Sequence, residues 1–155
     1  MARPSLSAKV LTALAGKRLA TAESLTGGGI GQAITSVSGA SAVFAGGVIS
    51  YTNEVKHKVL GVPVDILDAY GPVCADVAKA MAVGARRVIG ADVAVAVTGL
   101  AGPGGDEYGN PEGTVFIGYA DAGQTLFREH HFTGNREEIR EQTICEALKL
   151  ILERN

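Results

Sequence analysis

The chain has 155 residues, a length that suits one domain spanning 1–155 and buries about two-thirds of its unfolded surface without a disulfide or metal staple. Hydrophobic residues make up 46% and charged residues 19%, which excludes a disordered chain. A net charge of −2 argues against a broad nucleic-acid surface, no apolar run approaches the ~20 residues of a membrane span, and the distant Cys74 and Cys145 read as reduced thiols of a cytoplasmic protein.

The N-terminal MARPSLSAKV lacks the apolar core of a signal peptide. Residues 5–15 place Leu6, Val10, Leu11 and Leu14 on one face of an amphipathic helix. Arg18–Ala22 reads as a short strand, and 26–36 as a helix with glycines in its first turn. Ala45–Tyr51 reads as a second strand. Thr52–Leu60 reads as a helix stopped by Gly61 and Pro63. VPVDILDAYG supplies one further helical turn. Pro72 suits the first turn of a long helix, in which Val77, Met81, Ala85 and Val88 keep helical spacing to about Ile89. Asp92–Thr98 is nearly all apolar and β-branched, as in a buried central strand. Residues 99–113 form a glycine-rich loop. Thr114–Ala120 and Thr125–Phe132 make a hairpin around Asp121–Gln124. Asn135 and Glu138 have the spacing of a capping box, and Ile144, Ala147, Leu148, Ile151 and Leu152 mark the core face of the last helix.

This order predicts an α/β fold: a three-layer α/β/α sandwich with a mixed, mostly parallel sheet and one antiparallel hairpin. Ligands in such sheets favour the crevice at the carboxyl ends of the strands. Three loops leave predicted strands there, carrying Ser24, the Tyr51–Lys56 segment and Thr98–Gly105.

Several chemistries fail on spacing. After Gly27, Gly28 and Gly29 come Ile30, Gly31 and Gln32, which is no Walker loop. No dinucleotide GxGxxG and no GxSxG is present. His57, His130 and His131 are the histidines, and the adjacent pair faces opposite ways on a strand, so no metal set emerges.

Ser24 stands in TAESLTGGG, beside Glu23. It reads either as the N-cap of the following helix or as a group presented at a helix N-terminus, where backbone N–H groups hold a phosphate or an oxyanion. A serine nucleophile needs a base, and without a suitable histidine the candidates are a lysine or a carboxylate. In SYTNEVKHKV, Asn53 and Lys56 lie one turn apart on a single helical face, with Tyr51 at the strand end before them. Lys58 falls on another side, towards solvent. Lys56 is either an exposed helical lysine or a base whose pKa burial must lower by several units, with Tyr51 as a packing group or a proton relay. VTGLAGPGG at 97–105 reads as a flexible loop or as a backbone nest for an anion. Arg136 and Arg140 share a helical face and suit a phosphate clamp; the neighbouring Glu137 and Glu141 equally suit a solvated surface.

Taken together, TAESLTGGG, SGASAVFAGGVISYTNEVKHKVLGV at 38–62, GPV at 71–73, VTGLAGPGG, GTVFIG at 113–118 and FTGNREEIR at 132–140 resemble the C-terminal domain family of the competence/damage-inducible protein CinA. The resemblance runs from about residue 5 to 152. It does not extend to the N-terminal molybdopterin-binding-like domain of full-length members. Stand-alone members are nicotinamide mononucleotide deamidases, which release ammonia and nicotinate mononucleotide for pyridine-nucleotide salvage. The resemblance implies the same three-layer fold, no metal and no organic cofactor. It implies a catalytic Ser24, Tyr51 and Lys56. It further implies substrate contacts from Gly39, Ser41, Asn53, Thr98, Gly99, Ala101 and Gly102, with Arg136, in preference to Arg140, at the phosphate. Backbone N–H groups around Thr26, Gly27 and Gly28 are the expected oxyanion donors. The loop GPGGDEYGNPEG departs from the family's usual GPxGG run, and its Asp106 and Glu107 would oppose a phosphate unless they point away.

The partner implied is a small pyridine mononucleotide, with no nucleic acid and no membrane, and a homo-oligomer is usual for so small an enzyme. Two rival readings use the same pocket. One is a nucleotide-binding module without turnover; the other is a Ser-Lys amidase or esterase for another small substrate. A DNA-recombination partner finds no basic stripe to support it.

Overall fold

Strand sequences decide which helices pack where. In the computed structural model, which describes residues 3–155, β1 (Leu19–Glu23) and β3 (Val93–Gly99) alternate large and small side chains. Met1 and Ala2, part of the expected 1–155 domain, lie outside the described residues. Successive strand residues face opposite sides of a sheet. Leu19, Val93, Val95 and Val97 therefore join Val115, Ile117 and Tyr119 of β4 (Thr114–Ala120) on one face. α1 (Arg3–Ala13), α2 (Gly29–Thr35) and α6 (Arg136–Arg154) cover that face through Leu6, Val10, Ile30, Ile34, Leu148 and Ile151. The alanines between, Ala20, Ala22, Ala94, Ala96 and Ala120, form the other face. Here α5 (Ala75–Ile89) packs close to the sheet, and α3 (Asn53–Leu60) and α4 (Val64–Tyr70) pack against α5. Gly118 marks the tightest approach, since a β-carbon there would sit 2.1 Å from the Ala78 carbonyl oxygen of α5.

Among the described residues the sheet has five strands in the order β2-β1-β3-β4-β5, with β2 at Phe44–Ile49 and β5 at Thr125–His131. β1 pairs in parallel with β2 and β3, while β4 pairs antiparallel with β3 and β5. Four strands thus run one way and β4 alone is reversed. This is the three-layer α/β/α arrangement expected from the sequence. The carboxyl ends of β1, β2, β3 and β5 share one edge, and the residues following them meet there.

Strand ends shift by one or two residues from the sequence expectation, and three helices differ more. The helix expected over 26–36 starts only at Gly29. The single turn expected at 62–71 is the two-turn helix α4. The long helix begins at Ala75 rather than Pro72, because the Pro72 carbonyl accepts the Thr98 hydroxyl (2.7 Å) and its segment joins the site edge. The capping box at Asn135 and Glu138 is present. No helix is long and apolar enough to cross a membrane among the described residues.

Candidate active site

Ser24 is the first residue beyond β1. Its N–H still donates to the Val97 carbonyl (3.2 Å), so β3 fixes its backbone. The chain then turns through Leu25–Gly28 before α2. Ser24 does not cap that helix. The N-cap is Gly28, at φ 103°, and no side chain of its own closes the end. A side chain there would be strained, which accounts for a glycine at this position.

The cap comes instead from Glu23, which the sequence reading treats only as a neighbouring acid. Its carboxylate is 2% exposed. Oε1 accepts from the Thr26 hydroxyl (2.6 Å) and the Ile30 N–H (2.8 Å), and Oε2 from the Gly31 N–H (3.0 Å) and the Thr21 hydroxyl (3.4 Å). The negative charge lies where the helix dipole favours it. An acid ending an otherwise apolar strand, LATAE, just before a glycine-rich turn, is the signal that could have exposed this role.

Lys56 reaches Ser24 from α3. Thr52 caps this helix by accepting from the Val55 N–H (3.3 Å), and the inward face carries Lys56 and Leu60. Lys56 is only 1% exposed. Its Nζ lies 3.0 Å from Ser24 Oγ, 2.9 Å from the Ser50 carbonyl oxygen and 3.3 Å from that of Tyr51. Among the described residues it has no carboxylate partner. Burial therefore goes uncompensated and lowers its pKa from 10.5 to about 8. Of the two readings left open by sequence, the exposed lysine is excluded. Lys58, by contrast, pairs with Glu54 at the surface.

Ser24 and Lys56 open into a cavity of about 360 Å³. Thr98, Gly99, Ala101 and Gly102 form one wall, with Tyr51 and Arg136 at its mouth. Leu25, Pro72, Val73 and Leu100 add apolar surface that the sequence reading did not assign. Lys56 and Arg136 are the charged side chains on its lining, and both are basic. Arg136 donates to the Gly102 carbonyl and to the Tyr51 hydroxyl (2.6 and 3.3 Å). The Tyr51 hydroxyl thus faces Arg136 rather than bridging Lys56 to Ser24, and the side chain is 61% exposed instead of packing in the core.

Other expected site residues lie apart from this cavity. The Thr26 hydroxyl is taken by Glu23, and the Gly27 N–H by the Ser24 carbonyl (3.1 Å). Gly28 borders a smaller space over Glu23 on the α2 side. Among the described residues nothing accepts the N–H groups of Leu25, next to Ser24, or of Thr26 and Gly28, two of the expected oxyanion donors. Gly39 and Ser41 precede β2 and line a separate depression at the opposite edge of the sheet. Asn53 is exposed on α3. Arg140 braces the Ser24 turn, donating to the carbonyls of Leu25 (3.0 Å) and Thr26 (3.3 Å). Asp106 is turned into its own loop, where it accepts from the N–H groups of Tyr108 and Asn110 and the Asn110 amide; these bonds hold its pKa low.

The arrangement can do one kind of chemistry well. A buried amine that is neutral in roughly one molecule in ten at pH 7 faces a hydroxyl within hydrogen-bond reach. Such a pair, in a basic and partly apolar cavity, can serve as a nucleophile and its base.

A family model described as the CinA C-terminal domain matches residues 4–154. A CinA-like protein of Geobacter sulfurreducens is 49% identical over 86% of this chain and 32% of its own length. One from Mycolicibacterium gilvum is 45% identical over 92% of this chain and 34% of its own length. The chain thus spans about a third of the length of these relatives. The crystal structure of competence damage-inducible protein A (ComA) from Klebsiella pneumoniae superposes with a TM-score of 0.97 at 35% identity, covering 99% of this chain and 97% of that one. Competence/damage inducible protein CihA from Agrobacterium tumefaciens gives 0.94 at 37% identity, covering 97% and 94%.

Proposed function

This chain belongs to the CinA C-terminal domain family, and from that premise we propose that it hydrolyses the carboxamide of nicotinamide mononucleotide to nicotinate mononucleotide and ammonia. The observation that carries the reading is the 3.0 Å contact between the buried Lys56 Nζ and Ser24 Oγ.

Neutral Lys56 takes the Ser24 proton directly, with no relay through Tyr51. Ser24 Oγ bonds to the carboxamide carbon, and the carbonyl electron pair moves to oxygen. The N–H groups of Leu25, Thr26 and Gly28, close after the nucleophile in the chain, are the donors proposed for that oxyanion. Lys56, now an ammonium, returns its proton to the amide nitrogen, and ammonia leaves as the C–N bond breaks. Water then attacks the acyl-enzyme with Lys56 again as base, the bond to Ser24 Oγ breaks, the carboxylate product leaves, and Lys56 returns the proton to the Ser24 hydroxyl. The pyridine ring suits the wall of Leu25, Pro72, Val73 and Leu100, and the phosphate suits Arg136. A cavity of about 360 Å³ lies within the range used by small-molecule sites.

The test is ammonia release from the mononucleotide, its riboside and free nicotinamide. The mononucleotide is expected to be preferred. Arg136→Ala removes charge-assisted bonds and should raise KM for the mononucleotide about 10- to 100-fold while leaving the riboside unchanged. Equal use of mononucleotide and riboside, with no effect of Arg136→Ala, would remove the phosphate assignment. Binding of the mononucleotide without ammonia release would instead favour a non-catalytic nucleotide-binding module.

A further inference from the structure

We propose that Glu23 is a positioning residue for the Ser24–Lys56 pair, an inference that rests on the catalytic reading above. Glu23 touches both halves of the pair through different groups. Its carboxylate holds the Thr26 hydroxyl inside the turn that follows Ser24, and the Ile30 and Gly31 N–H groups where that turn enters α2. Its backbone carbonyl accepts the Ser50 N–H (2.8 Å), and the Ser50 carbonyl in turn accepts from Lys56 Nζ (2.9 Å). The nucleophile is therefore pinned from the α2 side and the base from the β2 side, and one residue lies at the junction. Arg140 braces the same turn from α6 through the Leu25 and Thr26 carbonyls. The structure of the turn explains why a carboxylate is needed. Among the described residues the four groups bonded to its carboxylate all donate to it: two hydroxyls and two N–H groups. A glutamine keeps the size but sets an NH2 group against donors and withdraws the charge from the helix N-terminus. The turn must then shift, and Ser24 shifts with it.

The readout is the reactivity of Ser24 itself, which needs no assigned substrate. Phenylmethanesulfonyl fluoride forms a bond from Ser24 Oγ to sulfur, fluoride leaves, and Lys56 takes the hydroxyl proton. Labelling is followed by intact mass and located by peptide mapping, beside thermal unfolding of each variant. Wild type should label at Ser24 far faster than Lys56→Met. Glu23→Gln should fold, yet label roughly 30- to 100-fold more slowly than wild type, the scale expected for a nucleophile displaced by about 1 Å. Thr26→Val removes one of the four bonds and should slow labelling by about tenfold; it decides the matter should Glu23→Gln fail to fold. A folded variant with a lowered Tm but labelling within threefold of wild type would overturn the positioning role and leave the Ser24–Lys56 pair standing. Wild type labelling no faster than Lys56→Met would overturn that pair, and the Glu23 proposal with it.

Discussion

Replacing Ser24 by alanine is expected to lower ammonia release from nicotinamide mononucleotide by about 10⁴-fold or more. The size follows from the site's construction. In the cavity, Ser24 Oγ is the hydroxyl that Lys56 Nζ reaches, and the Thr98 hydroxyl is committed to the Pro72 carbonyl. Without Ser24 no activated group faces the carboxamide, and hydrolysis depends on a water attacking directly. The fold should survive. Ser24 is 7% exposed and lines the cavity, and Lys56 keeps two carbonyl acceptors when the hydroxyl is gone. The loss is one hydrogen bond, about 1 kcal/mol, or roughly 2–4 °C in Tm for a chain of this size. Turnover within tenfold of wild type would place the nucleophile elsewhere.

Lys56→Met should cost about 10³-fold or more in kcat/KM with little change in stability, a combination that a merely structural lysine would not produce. Methionine fills the same volume but cannot take a proton. Two effects on stability oppose each other. Burying Lys56 moves its pKa from 10.5 to about 8, and removing it relieves a burden of about 3 kcal/mol at pH 7. The Ser50 and Tyr51 carbonyls lose their donor, which costs about 1–3 kcal/mol. The sign of the pH dependence follows. Folding depresses this pKa, so the burden is fully present below pH 8 and gone above 10.5, and wild type gains stability relative to Lys56→Met across that window. Chemical denaturation at pH 7 and pH 10 measures it.

What the sequence disclosed, and what it hid, divides along the range of the interactions. The capping box at Asn135 and Glu138 is local, and it appears as read. The run Asp92–Thr98 marked the central strand because Val93–Val97 within it are apolar throughout, and all five are buried. The start of α5 was misplaced because Pro72 is held by Thr98, twenty-six positions away, through a contact no local pattern announces. The same holds for the site. Lys56 looks like any helical lysine until α3 is laid against the carboxyl end of β1. Ser24 left two readings open, cap or presented hydroxyl, and the capping is performed by Glu23, one residue earlier, from the other face of the strand. Gly39 and Ser41 followed from resemblance alone, and the parallel sheet sets them at the opposite edge from Ser24.

The measurement that tests the central claim most directly is the pH dependence of kcat/KM for nicotinamide mononucleotide between pH 6 and 10. A buried Lys56 that must be neutral to take the Ser24 proton predicts a rate rising about tenfold per pH unit up to about 8, then a plateau. A flat profile across that range, or a rise centred near the ordinary lysine value of 10.5, would contradict the account.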